Sequence, residues 1–97
     1  MKTFFDGIFI DSNNLQNEAE YPIKLEYYKT IETEENVEAK YGIEVVETEY
    51  KEGKINVENK KIKNIAKTSE EIGRILGLLR DNKVTPIGIK DAIDEII

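Results

Sequence analysis

The sequence predicts an α+β domain: a three-stranded antiparallel meander followed by two short amphipathic helices (β-β-β-α-α). The N-terminal segment reads as either a flexible arm or an extra peripheral strand. Three observations carry this reading. Apolar residues recur with a period of two between Lys24 and Glu58, the period changes to 3.6 after Thr68, and Gly53 and the Asn82–Pro86 block supply turn chemistry between the runs.

Residues 1–21 are the arm or peripheral strand, and residues 22–97 are the single α+β domain. The start is apolar at Phe4, Phe5, Ile8, Phe9 and Ile10, but Asp6 interrupts it, and Asp11 to Glu18 is polar and turn-rich. In Lys24–Ile31, Leu25, Tyr27 and Ile31 share one parity while Glu26 and Thr30 take the other, which marks a half-buried strand. An acidic link from Glu32 to Lys40 has no apolar pattern and reads as a solvated loop. The second strand, Tyr41–Tyr50, has Ile43 and Val45 on one face and Val46, Thr48 and Tyr50 on the other. Either a β-bulge near Val45–Val46 gathers both sets on the core side, or the strand is covered on both faces. Gly53 suits the hairpin between Tyr50 and Lys54, and the third strand runs from Lys54 through Glu58 toward Ile62. Consecutive strands with short links favour an antiparallel meander.

Thr68 followed by Glu71 fits a capping box, with Ser69 as a competing cap. Ile72, Ile75, Leu76 and Leu79 form the stripe of the first helix, and Leu78 widens it. Gly73 and Gly77 weaken that helix by about 1 kcal/mol each relative to Ala, and would admit a closely approaching neighbour. Asp81–Asn82 ends it, with Asn82 in the left-handed conformation. Thr85 as N-cap and Pro86 at the first helical position open the second helix. Ile89, Ala92 or Ile93, and Ile96 face in; Lys90, Asp91, Asp94 and Glu95 face out. The result is a compact αα corner.

With 97 residues, 39% hydrophobic and 35% charged, the chain builds one domain around a thin core, so burial at a homodimer interface is an expected supplement. Neither Cys nor His occurs, which removes disulfides, thiolate chemistry, imidazole ligands and every nucleophile that relies on a His base. A net charge of −6 disfavours nucleic acid and anionic membrane outside a local basic patch. No stretch approaches the roughly 20 apolar residues of a membrane-spanning helix. No small-residue cleavage site follows the leader, and the cytoplasm is the expected compartment.

Glu44, Glu47 and Glu49 are the densest carboxylates in a regular element, and read as a solvated strand face rather than an acid–base site. Asp11-Ser12-Asn13-Asn14 has the opening of a calcium loop, but Gln16 stands where the required glycine would be. The glycines form no phosphate-binding spacing. No catalytic residue, cofactor or metal is therefore expected. The corner 70–97 has the outline of a helix-turn-helix, with Arg74, Arg80, Lys83 and Lys90 as candidate phosphate contacts. Asp91, Asp94 and Glu95 on its reading helix argue instead for helices packed onto a sheet. Tyr21, Tyr27, Tyr28, Tyr41 and Tyr50 lie on or beside the strands; any that are exposed suit a protein interface. Lys60-Lys61-Ile62-Lys63 is the only basic run and reads as a solubility feature of an edge strand or a linker.

By subtraction the chain reads as a non-catalytic protein-interaction or regulatory domain, with Tyr28, Val46, Tyr50, Leu78 and Ile97 as its interaction surface. The alternative is a DNA-associated regulator using the 70–97 corner. Tyr41-Gly42-Ile43-Glu44-Val45-Val46, the segment Ile72 to Leu79, and Asn82-Lys83-Val84-Thr85-Pro86-Ile87 carry a family resemblance. Over roughly residues 23–97 the chain resembles a small domain-of-unknown-function family of clostridia and related Gram-positive bacteria. The Val-Thr-Pro block ahead of an acidic final helix is its most specific part. That resemblance implies an intracellular bacterial protein, and no activity or site residues.

Overall fold

A computed structural model of the chain describes residues 1–11, 21–32 and 40–96. The polar run after Asp11, with its calcium-loop outline, the acidic link between Glu32 and Lys40, and Ile97 lie outside the described residues. Four strands come first: β1 (Lys2–Ile10), β2 (Ile23–Ile31), β3 (Tyr41–Lys51) and β4 (Lys54–Ala66). Each pairs antiparallel with the next, giving the spatial order β1-β2-β3-β4, and helices α1 (Ser69–Asp81) and α2 (Ile89–Ile96) follow. The α+β class and the meander are as the sequence predicts. The sheet has four strands rather than three, because the N-terminal segment is the extra strand and lies at an edge.

Asp6 hides that strand in the sequence. β1 slips its register between Phe4 and Asp6, so Phe5 is an extra residue in the ladder. The slip changes the phase of the strand. Without it Ile8 and Ile10 would share the face of Phe4; with it they turn toward the helices, and Ile10 is buried.

The pleat decides the core. Ile10, Ile23, Leu25, Tyr27, Ile43 and Val45 face one side, where Ile72, Ile75, Leu76, Leu79, Ile89 and Ile93 pack onto them. The Tyr27 ring is fully buried there and its hydroxyl donates to the Val84 carbonyl at 2.9 Å. On β3 the pairing with β2 is unbroken from Tyr41 to Glu49, with no bulge at Val45–Val46. Val46, Thr48 and Tyr50 therefore lie on the face away from the helices, and the bulge alternative for this strand does not hold. A strand pattern records alternation; it does not record whether a second layer exists to cover the other face.

The irregularity lies instead opposite Gly42. Tyr41 pairs with Ala66 and Ile43 with Ile62, so Lys63, Asn64 and Ile65 stand against Gly42 alone, with Asn64 at φ 60°. A Cβ on Gly42 would run into the Ile62 carbonyl oxygen and lie 2.8 Å from the Thr30 hydroxyl. Glycine is required because the bulged edge strand closes on this backbone.

Thr68 caps α1 as predicted, its hydroxyl accepting the Glu71 N–H at 3.1 Å. The C-terminus differs by one residue. Asn82 keeps φ −95°, which lets its side-chain amide donate to the Leu78 carbonyl at 2.8 Å, and Lys83 takes the left-handed position at φ 53°. Lys83 N–H then reaches the Arg80 carbonyl and Val84 N–H the Leu79 carbonyl, both at 3.0 Å, closing a Schellman motif. The second helix also starts later than Thr85–Pro86. Gly88 N–H bonds to the Thr85 carbonyl at 3.1 Å in a separate turn that buries Pro86, and α2 begins at Ile89. Gly88 favours that break because glycine is a poor helix former.

Two substitutions test this packing. Gly42→Ala should destabilise the fold by about 2–3 kcal/mol, read from the urea midpoint, since backbone atoms must move. Gly73 faces open space, and a methyl group there would meet no neighbouring atom within 4 Å. Gly73→Ala should therefore stabilise by roughly 1 kcal/mol through helix propensity alone.

Candidate functional site

Because strand residues alternate and antiparallel partners share a face, the register gives the composition of the side that the helices leave open. Successive rows across it read Phe4–Tyr28–Glu44–Lys61, then Gly7–Glu26–Val46–Asn59, then Phe9–Lys24–Thr48–Val57, and finally Tyr50–Ile55. Phe4, Phe9, Ile55 and Val57 are 56%, 60%, 65% and 60% exposed, values that set them apart from side chains filling a core. Antiparallel sheets with one solvated face usually present polar residues there. This one presents aromatic and β-branched side chains, concentrated where Phe9 and Tyr50 approach with ring centroids 6.3 Å apart. Phe4 meets the Tyr28 ring edge-on at 5.6 Å.

Between these apolar groups runs a neutralised polar ribbon. Asn59 donates to one Glu44 oxygen at 2.9 Å and the Lys2 ammonium lies 3.3 Å from the other. The Lys2 nitrogen also sits 4.5 Å from the Tyr28 ring centroid. The Tyr28 hydroxyl donates to Glu26 at 3.0 Å, and Lys24 stands 3.7 Å from the same carboxylate. Burial by itself would raise the Glu44 pKa; the hydrogen bonds from Asn59 and Lys2 outweigh it and hold the carboxyl below its ordinary range. Glu44 is a satisfied structural anion.

Three of the residues singled out from sequence, Tyr28, Val46 and Tyr50, come together on this face. Leu78 does not join them, since it lies on α1 in the helical layer. Ile97 is outside the described residues. Sequence reasoning missed Phe4, Phe9, Ile55 and Val57. The signal for the last two was present: Ile55 and Val57 alternate in phase with Tyr50 across the Gly53 hairpin. Of the remaining tyrosines Tyr27 belongs to the core, and Tyr41 packs against it. The Lys60–Lys63 run lies on β4, an edge strand as expected.

The three strand glutamates do not form one set. Glu44 faces the open side, whereas Glu47 and Glu49 face the helix side, where Glu47 is paired directly across from Glu58. Burial, followed by the negative charges of Glu58 and Glu49, raises the Glu47 pKa. In the αα corner Arg80 is held by Asp6 at 3.0 Å and Asp81 at 3.1 Å, with its guanidinium 5.5 Å from the Phe5 ring centroid. It therefore ties β1 to α1. Residues 82–88 separate the two helices, longer than the three or four residues of a helix-turn-helix turn. Among the described residues no group of three or more acidic side chains is placed to hold a metal ion, and no helix is long and apolar enough to cross a membrane.

Glu47 yields a pH test. A carboxyl whose folded pKa lies above its unfolded value costs stability when ionised, and that cost disappears as pH falls through the folded pKa. Glu47→Gln should raise the melting temperature at pH 7, with the gain shrinking as pH falls through the raised carboxyl pKa and lost below about pH 4, followed by thermal unfolding across pH.

Comparison with known proteins adds a family. The model of a family of unknown function (DUF6514) matches residues 7–97, beginning well ahead of residue 23 and including the C-terminal part of β1. No curated protein matches the chain, and no solved structure does.

Proposed function

The chain belongs to the DUF6514 family, and from that premise we propose that it is a non-catalytic protein-interaction or regulatory domain whose open sheet face is the docking surface. One observation supports this above the others: Phe4, Phe9, Ile55 and Val57 are more than half exposed on a single face that already holds Tyr28, Val46 and Tyr50. Contiguous exposed apolar surface of this kind marks interaction sites, and aromatic anchors dominate their energetics. The ion-paired ribbon through Lys2, Glu44, Lys24 and Glu26 suits docking as well, because its charges enter an interface already partnered.

The non-catalytic reading rests on the missing Cys and His and on a Glu44 carboxylate engaged by Asn59 and Lys2. The absence of cysteine fits a reducing cytoplasm, which we take as the compartment, in a clostridial or related Gram-positive cell.

Site-specific photo-crosslinking in the source cell tests the surface. A benzophenone amino acid replacing Val57 or Phe9 should give a protein adduct of higher mass, whereas the same probe at Leu78 in the helical layer should give little. Equal yields from both layers, or none from the open face, would refute the assignment.

A further inference from the structure

We infer that the occupant of the open face is a second copy of this chain, the two sheets stacking face to face about a two-fold axis that passes close to Val57. The inference rests on the docking reading above and adds the identity of the partner.

Charge selects the face. The rows that form it carry Lys2, Lys24 and Lys61 against Glu26 and Glu44, a net of +1 on a chain whose total is −6. The rest of the chain therefore carries −7. Two copies meeting through the surface that carries this acidic excess bring like charges together, whereas on this face charge is nearly balanced and two of the lysines are already paired within each copy. Self-association avoids repulsion on this face.

Area is sufficient. Four strands about 4.8 Å apart and about nine residues long, rising about 3.3 Å per residue, present a footprint of roughly 600 Å² per copy, so that full overlap gives about 1,200 Å² in total, the lower bound of a specific interface, and an axis toward one end of the face gives a smaller contact centred on its most apolar part. Sheets stacked in this way lie about 10 Å apart with their inner side chains interdigitated. An axis near Val57 sets the most apolar end of the face, with Phe9, Tyr50 and Ile55, against its own copy. Glu47, Glu49 and Glu58 point away on the helix side.

The edges are poorer candidates. β4 carries Lys54, Lys60, Lys61 and Lys63 and is bulged opposite Gly42, while β1 is bulged at Phe5. Lysine and bulges both blunt strand-to-strand addition. A two-fold contact through the face needs neither edge and is self-complementary by symmetry.

The full chain supplies its own test, because it contains no cysteine and a single introduced thiol is unique. Light scattering behind size exclusion at tens of micromolar should give twice the 11.2 kDa chain mass. The double variant Phe9→Glu, Val57→Glu should be a monomer, with dissociation at least a hundredfold easier and an unchanged circular dichroism spectrum. In the otherwise unaltered chain, Val57→Cys should oxidise to a covalent dimer and Leu78→Cys should not, a readout that stands even if the double variant folds poorly. A monomer at 100 µM with no Val57→Cys linkage would overturn the inference, as would a dimer that links through Leu78→Cys. If the Val57 photo-adduct contains a different protein while the chain alone stays monomeric, the second-copy inference fails and the docking surface survives. If neither adduct nor dimer involves the open face, both fail.

Discussion

Tyr27 stands in the middle of the helix-facing side of the sheet, paired with Asp6 on one flank and Val45 on the other, and its hydroxyl donates to the Val84 carbonyl just beyond α1. Aliphatic side chains slide over one another with little preference for position. A hydrogen bond in a dry interior is directional, and leaving it unmade is costly. This one fixes where the helical layer sits. Burial pushes the Tyr27 phenol well above its ordinary range, so it remains a neutral donor across the working range of pH. The acceptor is delivered by the Schellman turn, in which Lys83 accepts a left-handed backbone to bring Val84 round. The fold of the αα corner is thus subordinate to a bond from the sheet.

From that anchor follows a shortage of cover. Helices of thirteen and eight residues seal only one face of a four-stranded sheet. On that side the apolar set is satisfied by the stripe of α1 and by Ile89 and Ile93. The opposite side keeps its own apolar set without a layer above it. Four of its charged members, Lys2 with Glu44 and Lys24 with Glu26, are arranged in pairs within the sheet, which lowers the cost of removing them from water together. The acidic excess lies elsewhere, including the Glu47–Glu58 cross-strand pair, where like charges face each other at some cost to stability.

Much of this was legible in the sequence wherever one period ran without interruption. Ile72, Ile75, Leu76 and Leu79, and the Thr68 cap, follow from local spacing and local hydrogen bonding, and both are found as predicted. The misreadings concern residues whose role depends on distant backbone. Phe5 is extra only because β2 lies beside it, Gly42 is obligatory only because β4 closes on it, and nothing local distinguishes Lys83 from Asn82 as the left-handed residue. The candidate surface divides in the same way. Val46 and Tyr50 stand out as apolar residues in excess of one strand face and Tyr28 as a strand tyrosine suited to an interface, whereas Phe4 and Phe9 gain meaning only once β1 is known to be an edge strand. Leu78 was grouped with them because a sequence does not say on which side of a sheet a helix will lie.

The meander has a consequence for the chain as it is made. Each strand finds its neighbour in the segment translated just before it, so the ladder can zip together while the polypeptide is still attached to the ribosome. The helices that dry its inner surface come last. At elongation rates of about 5–20 residues per second, the twenty-eight residues from Ser69 to Ile96 take roughly one to six seconds to emerge. During that interval the nascent sheet is greasy on both sides, with Leu25 and Val45 wet on one and Phe9 and Val57 on the other.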